Sequence, residues 1–374
     1  MKQENIISTT EDLKKIVNKA LKLDAVGLDT EFVWERTYYP QLGLIQIALS
    51  DEECYAIDPL SIKDLSPLGE LLADRNTIKI LHDAPQDLII MSQATGATPQ
   101  NIFDTRLAAG FAGSISTISL LQLVSEQLET ELDKSETRTN WLKRPLTEKQ
   151  LSYSLNDVRY LRATRVILLS KIIGPKIKSW LQEELNLLNN PANYSTIADE
   201  SRYKKVKGVN KLDRKSIGVA QEIATWREQK ARELNRPRGH VIKDDILLEI
   251  AAIRPTRPEE LANTAISTKA AERYGNDICQ ATARALNKKE VDLPHQQKRS
   301  QLSSQEKGAL AQLKELITLK CDILGIDPAL LGNSNELKKI IQTLYKGKTT
   351  HMRQSFGWRK EFLKDFYQIH RDTI

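Results

Sequence analysis

The residues with the clearest capacity for chemistry are Asp29-Thr30-Glu31, which follow the apolar run Ala25-Val26-Gly27-Leu28. At the two-residue period of a strand, Asp29 and Glu31 project from one face. Two carboxylates side by side repel each other unless a cation lies between them. A second constellation is Tyr153 and Asp157, four residues apart in a helical stretch and therefore on one helix face. A third acid, Asp87, sits in His82-Asp83-Ala84-Pro85-Gln86-Asp87-Leu88. Each signal has an ordinary alternative. Acidic pairs end strands as solvated turns, Tyr153 can be a core aromatic with Asp157 a surface charge, and acids favour a first helical turn. Taken together, carboxylates of this kind suit a hard divalent cation with oxygen ligands.

The elements that must position these residues change character along the chain. Ala25–Leu28, Leu44–Leu49 and Cys54–Ile57 are closely spaced strand-like runs, which implies antiparallel neighbours. Ile78–Leu81 and Asn101–Phe103 are then separated by helical stretches around Ser61–Ala73 and Pro85–Ala94, which implies parallel crossovers. The sum is an α/β domain with a mixed sheet. From Leu146 the pattern is helical. Thr147 is the expected N-cap with Gln150 at the capping-box position, and Leu151, Leu155, Val158, Leu161 and Ile167 recur at helical spacing in one long helix. Residues 191–210 form an expected linker or arm between this first domain, 1–190, and a helical remainder. That remainder predicts helices at 214–234, 243–253, 258–263 and 268–286. A second set is expected at 304–324, 335–344 and 356–369. Two small all-α bundles in tandem, 211–292 and 293–374, are the economical arrangement.

Charge divides the same way. Residues 1–200 carry 21 Lys+Arg against 28 Asp+Glu, a net of −7, and residues 201–374 carry 34 against 21, a net of +13. Acids that hold cations joined to bases that hold a polyanion is one explanation, and ordinary variation in surface charge is the other. Cys54, Cys279 and Cys321 are few, odd in number and far apart, as expected of reduced thiols in a cytoplasmic protein. No apolar run reaches the ~18 residues of a membrane span. The polar N-terminal stretch predicts no signal peptide.

The ordered motifs resemble ribonuclease D. Leu28-Asp29-Thr30-Glu31-Phe32 with Thr37-Tyr38-Tyr39-Pro40-Gln41-Leu42 and Leu44-Ile45-Gln46 looks like its first exonuclease motif. His82 with Asp87-Leu88 resembles the second. Tyr153 with Asp157 and Tyr160-Leu161 resembles the third, tyrosine-bearing one, and Leu132–Ser135, Trp141 and Arg144-Pro145-Leu146 match the approach to it. Trp226-Arg227-Glu228, Arg236-Pro237-Arg238 and Lys243-Asp244 look like the first helicase-and-ribonuclease-D C-terminal domain, while residues 293–374 match a second one only faintly. Asp83 stands where the family commonly has a small residue, yet the five-residue spacing from His82 favours Asp87 as the acid facing the ions. Asn140 stands where an acid often precedes the tryptophan, a departure not expected to remove activity.

The resemblance implies a ribonuclease-H-like exonuclease domain of the four-acid (DEDD) type, cutting RNA from its 3′ end with two Mg²⁺ or Mn²⁺ ions. Asp29, Glu31 and Asp157 would hold one ion, and Asp29 with Asp87 the other. Tyr153 would orient the attacking water. A free phenol, with a pKa of about 10, is a poor base at neutral pH. The implied substrates are transfer RNA precursors with accessible 3′ ends, and the expected state is a monomer off the membrane. A DNA 3′→5′ exonuclease and a non-catalytic nucleic-acid-binding protein are the alternatives. The nearby aromatics Phe32, Trp34, Tyr38 and Tyr39 either stack a terminal base or pack beneath the motif, with packing favoured for Tyr38 and Tyr39. His82 either touches a phosphate or serves the structure, and Asp104 is expected to cap a helix. Arg202, Lys204, Lys205, Lys207, Arg227, Arg236 and Arg238 are candidate phosphate contacts.

Overall fold

The computed structural model describes residues 5–133, 135–136, 139–195, 198–295, 301–346 and 352–371. Residues 1–4 and Lys134, which entered the sequence reading, lie outside the described residues. In chain order the structure begins with β1 (Ile6–Ile7), α1 (Thr10–Ala20), β2 (Ala25–Val33), β3 (Gln41–Ala48) and β4 (Cys54–Ile57). It continues with α2 (Ser66–Ala73), β5 (Ile78–Leu81), α3 (Pro85–Thr95), β6 (Ile102–Asp104), α4 (Thr105–Phe111) and α5 (Leu120–Leu128). Next come α6 (Glu148–Arg159), α7 (Leu161–Lys171), α8 (Pro175–Leu187), α9 (Arg214–Glu233), α10 (Arg238–Val241), α11 (Asp244–Ile253) and α12 (Thr268–Leu286). The last are α13 (Ser304–Leu324), α14 (Ser334–Lys346), α15 (Gly357–Phe362) and α16 (Lys364–Arg371). Among the described residues no helix is long and apolar enough to cross a membrane.

The chain divides into two compact units: residues 1–33, 42–194 and 302–374 in one, residues 34–41 and 195–301 in the other. The first is built on a mixed six-stranded sheet in the order β1-β4-β3-β2-β5-β6. The helix-linked strands β2, β5 and β6 run parallel, and the tight β3–β4 connection is antiparallel. Strand alternation sorts side chains onto two buried faces. Val26, Leu28, Ile45, Ile47 and Leu81 face the core that includes Leu13 of α1, Leu68 of α2 and Leu88 of α3. Ala25, Leu44, Ile80 and Phe103 face the opposite core, with Leu155 of α6, Leu161 of α7 and Leu181 of α8.

That second core also takes in α13 to α15, so these C-terminal helices are packed with the sheet and its helices. Trp358 stacks on Trp180 with ring centroids 5.1 Å apart and donates its indole N–H to Glu184 at 2.6 Å. Arg359 meets the same buried carboxylate, with Nη2 2.9 Å from Oε2. Asp327 donates its backbone N–H to the Gly110 carbonyl at 2.8 Å.

In the second unit, α9, α11 and α12 enclose a core around Ile217, Ile223, Leu247, Ile250 and Ile278. The loop 34–41 belongs to this unit, and Tyr38 packs as its sequence context suggests. Its hydroxyl bonds the buried Glu228 carboxylate, the Arg238 guanidinium lies 4.9 Å from its ring centroid, and its backbone N–H donates to Asn235 at 3.1 Å. Tyr39 stacks edge-on against it at 4.7 Å but stays 45% exposed, and Trp34 is 48% exposed.

Three helical expectations need correction. The long helix expected from Thr147 is two helices broken at Tyr160 (φ −94°, ψ −1°). No proline or glycine marks the break, so the apolar periodicity runs through it. Residues 258–263 form a 3₁₀ turn, begun by Pro258. Residues 356–369 are two short helices separated at Leu363 (φ −89°, ψ 5°). The Thr147–Gln150 capping box is present in both directions.

Candidate active site

Asp29 and Glu31 lie on the face of β2 that is covered by α6, and Asp157 is in the last turn of that helix. Their approach depends on Gly27. A Cβ there would lie 2.9 Å from the backbone carbonyl oxygen of Val158, the residue after Asp157, and 3.3 Å from both Ala48 and Leu161. The absence of a side chain at Gly27 lets helix backbone sit on strand backbone. As a result, one carboxylate oxygen from each of Asp29, Glu31 and Asp157 lies within 4.8 Å of the other two.

Asp87 comes from the opposite face. It sits in the first turn of α3, is 8% exposed, and accepts a hydrogen bond from the hydroxyl of Thr30, the β2 residue between the two acids. It is outside the three-carboxylate cluster but within its field, because its charge raises the pKa of both Asp29 and Glu31. Asp83, the competing acid, pairs with Arg106 and has a 59% exposed side chain. Tyr153 is one helical turn before Asp157, partly buried, with its ring 6.1 Å from Trp141. The loop bearing Trp141 is pinned by Arg144. Its guanidinium bonds Asp58 at 2.7 and 3.0 Å, the Gly43 carbonyl at 2.6 Å and the Trp141 carbonyl at 2.8 Å.

The electrostatics are those of crowded acids. Burial, then the charges of Asp87, Asp157 and Glu31, push Asp29 well above the usual carboxylate range. Burial with Asp157 and Asp87 lifts Glu31 to about 9, and burial takes Asp157 to about 7. Asp87 is raised by burial to about 6, with the Thr30 hydroxyl pulling it back. Acids held this close bind protons tightly unless a cation replaces them. An all-oxygen, anionic donor set fits a hard divalent ion, and Asp29, Glu31 and Asp157 are the residues placed to hold it.

Two positioning residues escape the sequence. Thr30 is one. The other is Asp104, whose buried carboxylate accepts the backbone N–H groups of Asp83, Ala84, Arg106 and Leu107 at 2.9–3.3 Å. It caps α4 as expected and also fixes the turn that launches α3 and its Asp87. His82 proves structural. Its ring nitrogens meet the Thr105 hydroxyl at 2.9 Å and the Ile118 carbonyl at 3.1 Å, and burial pushes its pKa down to about 4.

The basic candidates separate too. Arg227 is buried, bonded to the Ile242 carbonyl at 2.9 Å and to Asp244 at 2.8 Å. Arg202 and Arg238 neutralise Glu228. Those three are structural, and Lys204, Lys205, Lys207 and Arg236 stay exposed.

Fold and site define a nuclease-like domain whose clustered carboxylates are placed to hold a divalent cation. A 3′-5′ exonuclease family model matches residues 5–173, and an HRDC domain model matches residues 216–282. Ribonuclease D of Bartonella henselae is 35% identical over 359 residues, covering 95% of this chain and 87% of that one. Escherichia coli ribonuclease D is 30% identical over 96% of both chains. The crystal structure of Escherichia coli RNase D, described as an exoribonuclease involved in structured RNA processing, superposes with a TM-score of 0.88 at 29% identity over 98% of both chains. The chain belongs to the ribonuclease D family.

Gly27 supplies a direct test of the geometry. Gly27→Ala drives a methyl against the Val158 carbonyl, so α6 must move, carrying Asp157 with it. Displacements approaching 1 Å in a reacting array lower rates by about 10²-fold. Saturating turnover by this variant is expected to slow by roughly 10- to 100-fold, with far-ultraviolet circular dichroism unchanged. A wild-type rate would show that the close contact does not set the position of Asp157.

Proposed function

We propose that this protein is a two-metal 3′→5′ exoribonuclease that trims the 3′ ends of transfer RNA precursors in the cytoplasm, acting as a monomer. The observation that carries the metal chemistry is the three-carboxylate cluster of Asp29, Glu31 and Asp157. Two divalent ions, Mg²⁺ or Mn²⁺, would supply the means to activate water and to offset developing negative charge. Asp29, Glu31 and Asp157 would hold one, and Asp29 with Asp87 would hold the other. Asp104 and Thr30 keep Asp87 in place. Tyr153 shares a helix face with Asp157 and orients the attacking water through its hydroxyl, a free phenol being a poor base at neutral pH. The cut releases a 5′-nucleoside monophosphate.

The choice of RNA is supported by the names of the relatives, and the 3′→5′ direction by the family. Of the basic candidates, Lys204, Lys205, Lys207 and Arg236 are the ones exposed to meet substrate phosphates, an attraction that weakens as salt rises. The test is incubation of the purified protein and Mg²⁺ with 3′-labelled transfer RNA precursor and with single-stranded DNA of matched sequence. Labelled mononucleotide is expected from the RNA. Release from DNA alone would overturn the substrate assignment while leaving the metal chemistry intact.

A further inference from the structure

A second recess lies at the other end of the sheet unit. It has a volume of about 260 Å³ and is bounded by the starts of β5 and β6, by α7 and by α8. Ile78, at its edge, pairs with Ala25 in the β2–β5 register. Asp29 is four residues further along β2, roughly 13 Å at strand rise, so the recess is separate from the acid cluster.

Its lining has two kinds of chemistry. Phe103, Leu181 and Leu185 form an apolar floor. The Arg165 guanidinium lies over the Phe103 ring, 5.4 Å from its centroid, and Lys178 stands exposed on α8. The Nε of Arg165 is buried with no hydrogen-bond partner. The neighbouring acid, Asp24, is bonded to Arg162 at 3.1 Å. The Arg165 Nε is sealed within the protein, so an occupant meets the terminal guanidinium nitrogens, which share the same charge. Two cations above an apolar floor ask for an anionic head on a flat apolar body. The side-chain amide nitrogens of Asn101 and Gln182 are taken up inside the protein, by the Arg75 and Asn76 carbonyls and by Asn186, which leaves their carbonyl oxygens as acceptors for an amino group.

We propose that this recess binds a 5′-phosphorylated nucleoside with an exocyclic amine, the phosphate meeting Arg165 and Lys178 and the base lying along Phe103, Leu181 and Leu185. Guanidinium–phosphate pairing and ring stacking by the same arginine are both established uses of that side chain. The pocket chemistry does not depend on which nucleic acid the protein cuts.

The test is calorimetric titration of the full-length protein in EDTA with adenosine 5′-monophosphate, adenosine and inorganic phosphate. Keeping the acid cluster free of metal separates this site from catalysis. One molecule of the monophosphate is expected per chain, with adenosine and phosphate each at least tenfold weaker. Arg165→Gln and, independently, the surface change Lys178→Gln are each expected to weaken binding at least tenfold while leaving Mg²⁺-dependent nucleotide release unchanged. A 3′-blocked, 5′-phosphorylated diadenylate tells whether the occupant is free or part of a chain: tighter binding than the monophosphate assigns the recess to a strand, weaker binding to the free nucleotide. Absence of binding at millimolar concentration, or equal affinity in wild type and both variants, would overturn the proposal.

Discussion

Asp29→Asn is expected to lower nucleotide release by roughly 10³-fold or more, because ligands of a shared cation act as a unit, and at the same time to raise the melting temperature of the metal-free protein. The two effects have one origin. Asp29 is largely screened from water and surrounded by Asp87, Asp157 and Glu31, so its ionised form is disfavoured in the folded chain. Replacing the carboxylate by an isosteric amide removes that repulsion and removes a proposed metal ligand in the same stroke. Asp157→Asn is expected to behave alike, and the double variant to lose no more activity than either single one. Single-turnover release of labelled nucleotide, paired with thermal melts in EDTA, reads both quantities. Near-wild-type activity in either variant would sink the assigned site. Lost activity with a lowered melting temperature would show damage to the fold instead of loss of a ligand.

The parts of this site legible in the sequence are those governed by a local period. Asp29 and Glu31 share a strand face because they are two apart, and Tyr153 and Asp157 share a helix face because they are four apart. Their convergence is not local. Nothing in Ala25-Val26-Gly27-Leu28 says that Gly27 will lie beneath the carbonyl of Val158, 131 positions later. Asp104 shows the same limit. Its helix-capping role follows from its place before Thr105-Arg106, but its hold on the amides of Asp83 and Ala84 joins segments 20 residues apart. Among the bases, composition reports a net charge and cannot distinguish Arg227, sealed against Ile242 and Asp244, from Lys204 on the surface. The last helices carry apolar faces whose period says that they are buried, but only packing shows that Trp358 stacks on Trp180.

The crowding of acids also sets how stability responds to pH and to metal. Glu31, Asp157 and Asp87 have pKa values raised to about 9, 7 and 6 in the folded chain, against ordinary values near 4. A carboxylate with a raised pKa binds its proton more tightly folded than unfolded. Its contribution to stability is complete below about pH 4 and is lost as pH climbs through the folded value. The metal-free protein is therefore expected to lose a few kcal/mol, order of magnitude, between about pH 5 and pH 9 from these groups. A divalent cation reverses the loss. At 100 times its dissociation constant an ion binding only the folded state adds about 2.7 kcal/mol, and protons compete with it for the same oxygens. Melts with and without Mn²⁺ should show a stabilisation of several degrees at pH 8.5 that shrinks toward zero at pH 5.5. Glu31→Gln should flatten the pH dependence of the metal-free protein and reduce the Mn²⁺ increment together, since one carboxylate contributes to both. An increment that is independent of pH, or unaffected by Glu31→Gln, would place the stabilising ion somewhere other than among these acids.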